Sequence, residues 1–413
     1  MFLHILLFIF MLCYYLISKG NIKLFLFFVL IYSFGLSFEM VNEYFFSLTP
    51  TVHFNSIILL YVALCNILIF TLYYKLSKNG IWGCAIYAAA ITAISAIKIS
   101  IPLNPIILYY KYNLFILPQT NSPLLNLYVI NLLPALFFCC DFKKIMLVIL
   151  CYLAMILPCR MLISDKIPKS NIAVIQVGLY YKNGGTPERF YNDMAKFIKE
   201  NSVDLIVFSE NVYFGYKNEV IKKNTDDLLL KIKTDSTLKQ KAFLFNFFGY
   251  KKFNNVISMF LHVDNSQLHQ KTALIPFIEK RGVFNAPEKL SSEYLNIDKK
   301  IKNNNTFKLH GLSYRIYICY EALFPEKYVH NGVVITQSDY IRLNNGRGYK
   351  TTLVNGSLLA KFSVAPNTKL INVQNYGGTI VFNNDWEIDW DIYNKSKKEH
   401  FLWLLYNTAR ECC

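Results

Sequence analysis

Three reactive side chains stand at the ends of apolar, strand-like runs. Glu210 closes DLIVFSE (204–210), Lys271 sits in HQKTALIPFIEK, and Cys319 sits in YRIYICYEALFP. A thiol that attacks an acyl group needs a base, because the thiolate is the nucleophile. It also needs a cationic or hydrogen-bonding group where the oxyanion develops. A carboxylate and an ammonium supply both, so Glu, Lys and Cys form a chemically sufficient set without histidine. Taken singly, each has a plainer reading: a small core residue, a solvated loop acid and a surface lysine. His262, His269, His310, His330 and His400 show neither HxH nor HxxxH spacing, and they read as structural or surface residues. No CxxC pair exists, so neither a metal site nor a cofactor is expected.

The elements that must position these groups fall in two unlike parts. The chain has 413 residues, of which 54% are hydrophobic and only 17% charged. Ordinary globular chains carry about 25% charged residues. Residues 1–164 hold 9 Lys/Arg and 3 Asp/Glu, while the rest holds the remaining 34 of 43 and 24 of 27. The first part therefore reads as a membrane bundle and the second as a basic soluble domain. Windows at 2–17, 22–38, 55–75, 81–98, 123–140 and 143–163 approach the roughly 20 apolar residues needed to span a bilayer. A seventh, 101–118, is interrupted by Pro102, Pro105 and Lys111. With six spans, the pairs Lys19/Lys23, Lys75/Lys78 and Lys143/Lys144 all fall on the cytoplasmic side, and the soluble domain lands outside.

The formal charge of +16 comes from scattered lysines, often beside asparagine, without an Arg-rich run. It suits a domain held near anionic lipid, and no nucleic-acid partner is expected. Of ten cysteines, Cys13, Cys65, Cys84, Cys139, Cys140, Cys151 and Cys159 lie in apolar segments, and Cys412 and Cys413 end the chain. Cys319 is the one cysteine of the soluble domain proper, so no disulfide framework forms there.

Beyond about residue 168, short β-like runs take over. NIAVIQVGL (171–179) reads as a buried strand, and Thr186-Pro187-Glu188 opens a helix with N-cap, N1 proline and first-turn acid. AFLFNFFGY, NNVISMFLHV, YRIYICYE, GVVITQSDY, TKLINVQN and GTIVFNND read as further strands, with a second helix over 351–364. Many strands with few helices suggest an α/β sandwich. The expected division is 1–167 as a transmembrane bundle of six or seven spans, 168–395 as the catalytic domain, and 396–413 as a tail. FLWLLY (401–406) in that tail is too short to span, and it reads as an interfacial piece.

The run SEN after an apolar strand, then K-x-x-L-x-P-F-x-E (271–279), then CYEALFP (319–325), resembles the nitrilase (carbon–nitrogen hydrolase) superfamily in chain order and context. The similarity is greatest to its membrane branch, apolipoprotein N-acyltransferase. It covers residues 171–388, with a faint likeness around 104–137. The resemblance implies an αββα sandwich behind a membrane bundle. It assigns Glu210 as general base, Lys271 as oxyanion stabiliser and Cys319 as the thioester-forming nucleophile. Glu279 matches a supporting glutamate, and Tyr320 and Glu321 match residues that shape the acyl site. The implied partners are a phospholipid acyl donor, membrane lipid and a lipoprotein acceptor. The implied place is a bacterial inner membrane, multi-pass, with the catalytic domain facing the periplasm or exterior.

Departures from the family pattern fall outside the triad. The family's tryptophan in the loop after the first strand is absent, Tyr180 and Tyr181 being nearby aromatics without matching position; its N-D-x-W-F block is replaced by QSDYI (337–341), and LLAKFSVAPN (358–367) lacks the usual glutamate. A conjugal-transfer TraB-type relative with another acceptor, and a non-catalytic membrane scaffold, are the alternatives.

Overall fold

The computed structural model describes residues 2–40, 52–96, 123–161, 170–216, 218–248, 256–263, 265–272, 304–323, 332–339, 369–382 and 388–406. They divide into a helical unit within residues 1–164 and an α/β unit within the remainder. The helix expected over 351–364, the window 101–118 and Glu279 lie outside the described residues.

The helical unit contains α1 (Phe2–Ser18), α2 (Ile22–Met40), α3 (Val52–Ser77), α4 (Gly80–Ala96), α5 (Pro123–Phe137) and α6 (Phe142–Met161). These coincide with the six apolar windows. Among the described residues only Leu59–Ser77, 19 residues within α3, is long and apolar enough by length and composition to cross a membrane, and shorter apolar helices lie beside it in sequence. The interior is mostly apolar, through residues such as Phe10, Tyr14, Val29, Phe70 and Ile91, with a few polar pairs set into it. Asn66 Nδ2 donates to Ser33 Oγ at 2.9 Å and Asn131 Nδ2 to Thr92 Oγ1 at 3.1 Å, all four side chains being buried. Phe8, Phe34, Leu68 and Trp82 point outward, at 68%, 64%, 68% and 77% exposure.

The α/β unit is built on two sheets. The first has the order β11-β1-β2-β3-β4-β5: Phe401–Tyr406, Ser170–Ile175, Leu205–Phe208, Ala242–Phe248, Val256–His262 and Asn265–Gln270. β1, β2 and β3 run parallel, and β4, β5 and β11 join antiparallel. The second has the order β10-β9-β8-β7-β6: Ile380–Phe382, Lys369–Gln374, Gly332–Ser338, Leu312–Ile318 and Thr306–Leu309. Here β7, β8 and β9 are parallel, flanked by antiparallel β6 and β10.

Alternation along the strands sorts the core into two layers. Ile172, Val174, Leu205, Val207 and Leu244 of the first sheet meet Leu312, Tyr314, Ile316, Ile335 and Ile371 of the second. The opposite face of the first sheet, through Ile206, Phe208, Phe243 and Phe245, packs on Phe190, Met194 and Ile198 of α8 (Pro187–Glu200) and Leu228 and Ile232 of α9 (Glu219–Thr234). Pro187 at the first helical position starts α8 as the sequence predicts. Asn218 caps α9 by accepting from Ile221 N.

Two expectations are corrected. The strand expected over 171–179 ends at Ile175, and Val177–Lys182 forms a short helix, α7. Gln176 makes the break: its amide donates to Ser396 O and Glu399 O and accepts from Thr379 Oγ1 inside the protein, which turns the chain out of the ladder. The segment FLWLLY is strand β11, paired residue for residue with β1, and belongs to the sheet rather than to an interfacial tail within 396–413. Leu402 and Leu404 enter the core while Trp403 is half-exposed, the period of two of a strand with one face on the core.

Candidate active site

The parallel strands β2, β7, β8 and β9, and the antiparallel β5, deliver polar groups at their C-terminal ends; for the parallel strands this is the edge at which open α/β sheets place their chemistry. β2 ends two residues before Glu210, β5 one before Lys271, β7 one before Cys319, β8 one before Asp339 and β9 one before Asn375. Glu210, Lys271 and Cys319 are all buried, the lysine at 0% exposure.

Lys271 Nζ lies 3.8 Å from Glu210 Oε1. A buried ammonium is tolerated only beside a counter-charge, and Glu210 supplies it. The other carboxylate oxygen, Oε2, accepts from the backbone N–H of Asp339 at 3.1 Å. Asp339 is in turn fixed from its far side: Asn375 Nδ2 donates to Asp339 Oδ2 at 3.1 Å. Asn375 Oδ1 accepts from Gly178 N at 2.6 Å and from Ser209 Oγ at 3.0 Å. Glu210 is thereby oriented by β8, β9 and the start of α7. Gly178 is required at this approach, since a Cβ there would stand 2.8 Å from Asn375 Cγ.

Beneath the carboxylate, Gln337 of β8 reaches across the sandwich. Its amide donates to Phe208 O at 2.7 Å and Leu244 O at 3.2 Å and accepts from Ser258 Oγ. One buried amide thus joins the two sheets two residues before Glu210.

Cys319 begins a 3₁₀ turn, Cys319–Leu323, with φ at 49°. The left-handed region costs a non-glycine residue on the order of 1–3 kcal/mol and is held only where the surroundings over-determine it. A side chain on a sharp turn after a strand is carried past the end of the sheet, a backbone geometry shared with nucleophile elbows. Tyr320 follows in the same turn.

Glu321 does something the sequence does not foretell. Its Oε1 accepts from Thr272 N and, at 2.8 Å, from Thr272 Oγ1. Its Oε2 accepts from Ile318 N at 2.9 Å and from His269 Nε2 at 2.8 Å. Both oxygens are taken by protein donors, so the carboxylate ties the residue after Lys271 to the residue before Cys319. Burial alone would push its pKa up; the charge and hydrogen bond of His269 and the two backbone N–H donors outweigh burial and bring it to about 2. Glu321 is held as the anion at neutral pH.

The structure therefore draws Glu210 and Lys271 into direct contact and links the Lys271 and Cys319 strand ends through Glu321. Asp339, Asn375, Gln337 and His269 complete the constellation and were not singled out from the sequence. Three of the four occupy or adjoin the end of a parallel strand, a position that would have flagged them. Among the described residues no group of three or more His, Cys, Asp or Glu stands ready to hold a metal ion.

No family model matches the chain, and no curated protein sequence matches it. Solved structures do resemble it. Nit3 of Saccharomyces cerevisiae, a member of branch 10 of the nitrilase superfamily, is 13% identical with a TM-score of 0.36, over 59% of this chain and 92% of its own. The CN-hydrolase superfamily protein XC1258 of Xanthomonas campestris is 13% identical with a TM-score of 0.39, over 58% of this chain and 90% of its own. A carbon–nitrogen hydrolase of Helicobacter pylori is 13% identical with a TM-score of 0.36, over 59% of this chain and 91% of its own.

Proposed function

We propose that this protein is a membrane acyltransferase of the nitrilase type, moving a fatty acyl chain from phospholipid through a Cys319 thioester to an amine. The observation that carries this reading is the buried Lys271–Glu210 pair, at 3.8 Å, tied to a strained Cys319 turn. In the first half-reaction Glu210 takes the Cys319 proton and the thiolate attacks the ester carbonyl of the donor. The tetrahedral oxyanion develops toward the Lys271 ammonium. Collapse breaks the ester C–O bond, Glu210 returns the proton, and lysophospholipid leaves. In the second half an amine attacks the thioester, Glu210 takes its proton, and the Cys319 thiolate departs. Glu279 is the supporting glutamate and Tyr320 a wall of the acyl site in this reading. No cofactor enters either half.

The outward-facing apolar side chains and inward-facing asparagines of α1–α6 support placing the first half of the chain in a lipid bilayer as a multi-span bundle. Both substrates would then share one phase with the enzyme. Each CH₂ kept in lipid is worth about 0.8 kcal/mol, so a lipid-embedded enzyme avoids extracting a whole acyl chain. The acceptor in this reading is the N-terminal amine of a diacylglyceryl-cysteine lipoprotein. The setting is a bacterial inner membrane with the catalytic domain on the outer side.

The test supplies phospholipid and a synthetic diacylated lipopeptide to membranes carrying the protein or Cys319→Ala, with mass spectrometry of the lipopeptide. A one-acyl mass gain that requires Cys319 is the expected result. An acyl adduct on Cys319 without transfer would replace the lipoprotein acceptor by another, as in a TraB-type protein. Neither signal from folded protein would leave a scaffold.

A further inference from the structure

His269 lies on β5 two residues before Lys271, and the period of two puts both side chains on the face of the first sheet turned toward the second. The imidazole is buried, 2.8 Å from Glu321 Oε2. Since Glu321 is ionised, its oxygens only accept, and Nε2 of His269 carries the proton between them. The consequence reaches beyond the pair. Lys271 belongs to the end of β5 in one sheet and Cys319 to the end of β7 in the other. The bridge described between their strand ends is the Glu321 carboxylate, through Thr272 N and Ile318 N. Without the imidazole, Glu321 Oε2 would keep only the Ile318 N–H as donor, and an under-satisfied buried carboxylate tends to move toward water.

We propose that His269 is a positioning residue that acts through Glu321 to hold Lys271 opposite Cys319, so that the ammonium stabilises first the Cys319 thiolate and then the oxyanion. The proposal rests on the roles given above to Cys319 and Lys271. His269 touches no reacting atom in it. Loss of the imidazole frees Glu321, the two strand ends drift, and the nucleophile and the ammonium lose their common frame. Binding of the acyl chain is untouched, so the loss falls on kcat and leaves KM for the donor unchanged.

The experiment uses the full chain and two readouts. One is alkylation of Cys319 by iodoacetamide, followed at that peptide by mass spectrometry. The other is acyl-adduct formation on Cys319 from phospholipid. His269→Phe fills the space without a donor, and His269→Gln restores an N–H at similar reach. A displacement of about 1 Å costs on the order of 10²-fold, so His269→Phe is expected to slow both readouts by about 10²-fold while His269→Gln stays within about threefold of wild type. In a Glu321→Gln background, His269→Phe is expected to add nothing further. Rates for His269→Phe within about threefold of wild type, or equal losses in the Phe and Gln variants, would overturn the proposal. If His269→Phe loses its cooperative melting transition, His269→Asn replaces it: its amide is too short to reach Glu321, and the same loss is expected. Wild-type protein that alkylates at Cys319 but forms no acyl adduct would refute the acyltransferase reading, and the alkylation comparison would still decide the role of His269.

Discussion

The Lys271 ammonium and the Glu210 carboxylate face one another at 3.8 Å, and both side chains are sealed from solvent. Each is the other's counter-charge, and neither is tolerable there alone. Removing one charge therefore affects both chemistry and stability. Lys271→Met should lower stability by about 3–5 kcal/mol, the usual cost of stranding one member of a buried pair. It should also abolish measurable thioester formation. Thermal melting in detergent, beside the acyl-adduct assay, reads the two effects separately. A variant that melts like wild type would contradict the pairing.

Glu210→Gln keeps the shape of the side chain and its acceptor toward Asp339 N–H but cannot take a proton. Thioester formation should slow by about 10²–10⁴-fold, the range of a lost general base. Quenched-flow measurement of Cys319 acylation is the direct check, and an unchanged rate would remove Glu210 from that role.

Cys319→Ala removes the thiol while leaving the turn backbone and Glu321 in place. The protein should insert and fold, with a melting temperature within a few degrees of wild type, and show no acyl transfer. Retained transfer in this variant would exclude the thioester route.

Asn375 joins Gly178 N, Ser209 Oγ and Asp339 Oδ2 in one buried node. Asn375→Ala leaves buried donors and an acceptor without their partner, each costing about 1–3 kcal/mol. A marked fall in melting temperature is expected, with slower acylation as Asp339 and Glu210 lose their anchor. Circular dichroism melting of the variant checks the first effect.

The depressed pKa of Glu321 has a pH signature of definite sign. The unfolded carboxyl titrates near 4.5 and the folded one at about 2. Its contribution is therefore complete above about pH 4.5 and is lost as pH falls toward about 2; the difference corresponds to about 3 kcal/mol. The melting temperature of wild type should drop across this window. Glu321→Gln should start lower and show a shallower acid slope. Equal slopes would mean that Glu321 does not carry the effect.

Much of the site could be read along the chain because its chemistry is local. SEN and CYEALFP carry Glu210 and Cys319 at the ends of apolar runs, which mark strand ends, while Lys271 follows the polar NSQLHQ and is legible only from its own local sequence. Most strands, the Pro187 start of α8 and the six apolar helices of residues 1–164 were legible for the same reason. Elements whose existence depends on a distant partner were not. FLWLLY has no reason to be a strand until β1 offers its edge, and the NSQLHQ of β5 is polar because much of its first half faces solvent at the sheet margin.

The sequence by itself determined which residues could act and the order in which strands deliver them, since both follow from residue type and apolar period. Only the tertiary structure decided who touches whom. It set the lysine against Glu210, Asp339 behind that glutamate, and Glu321 with His269 between the ends of β5 and β7. These contacts join residues separated by 52 to 129 positions, and the strand pairing and sheet packing that create them are properties of the whole folded domain.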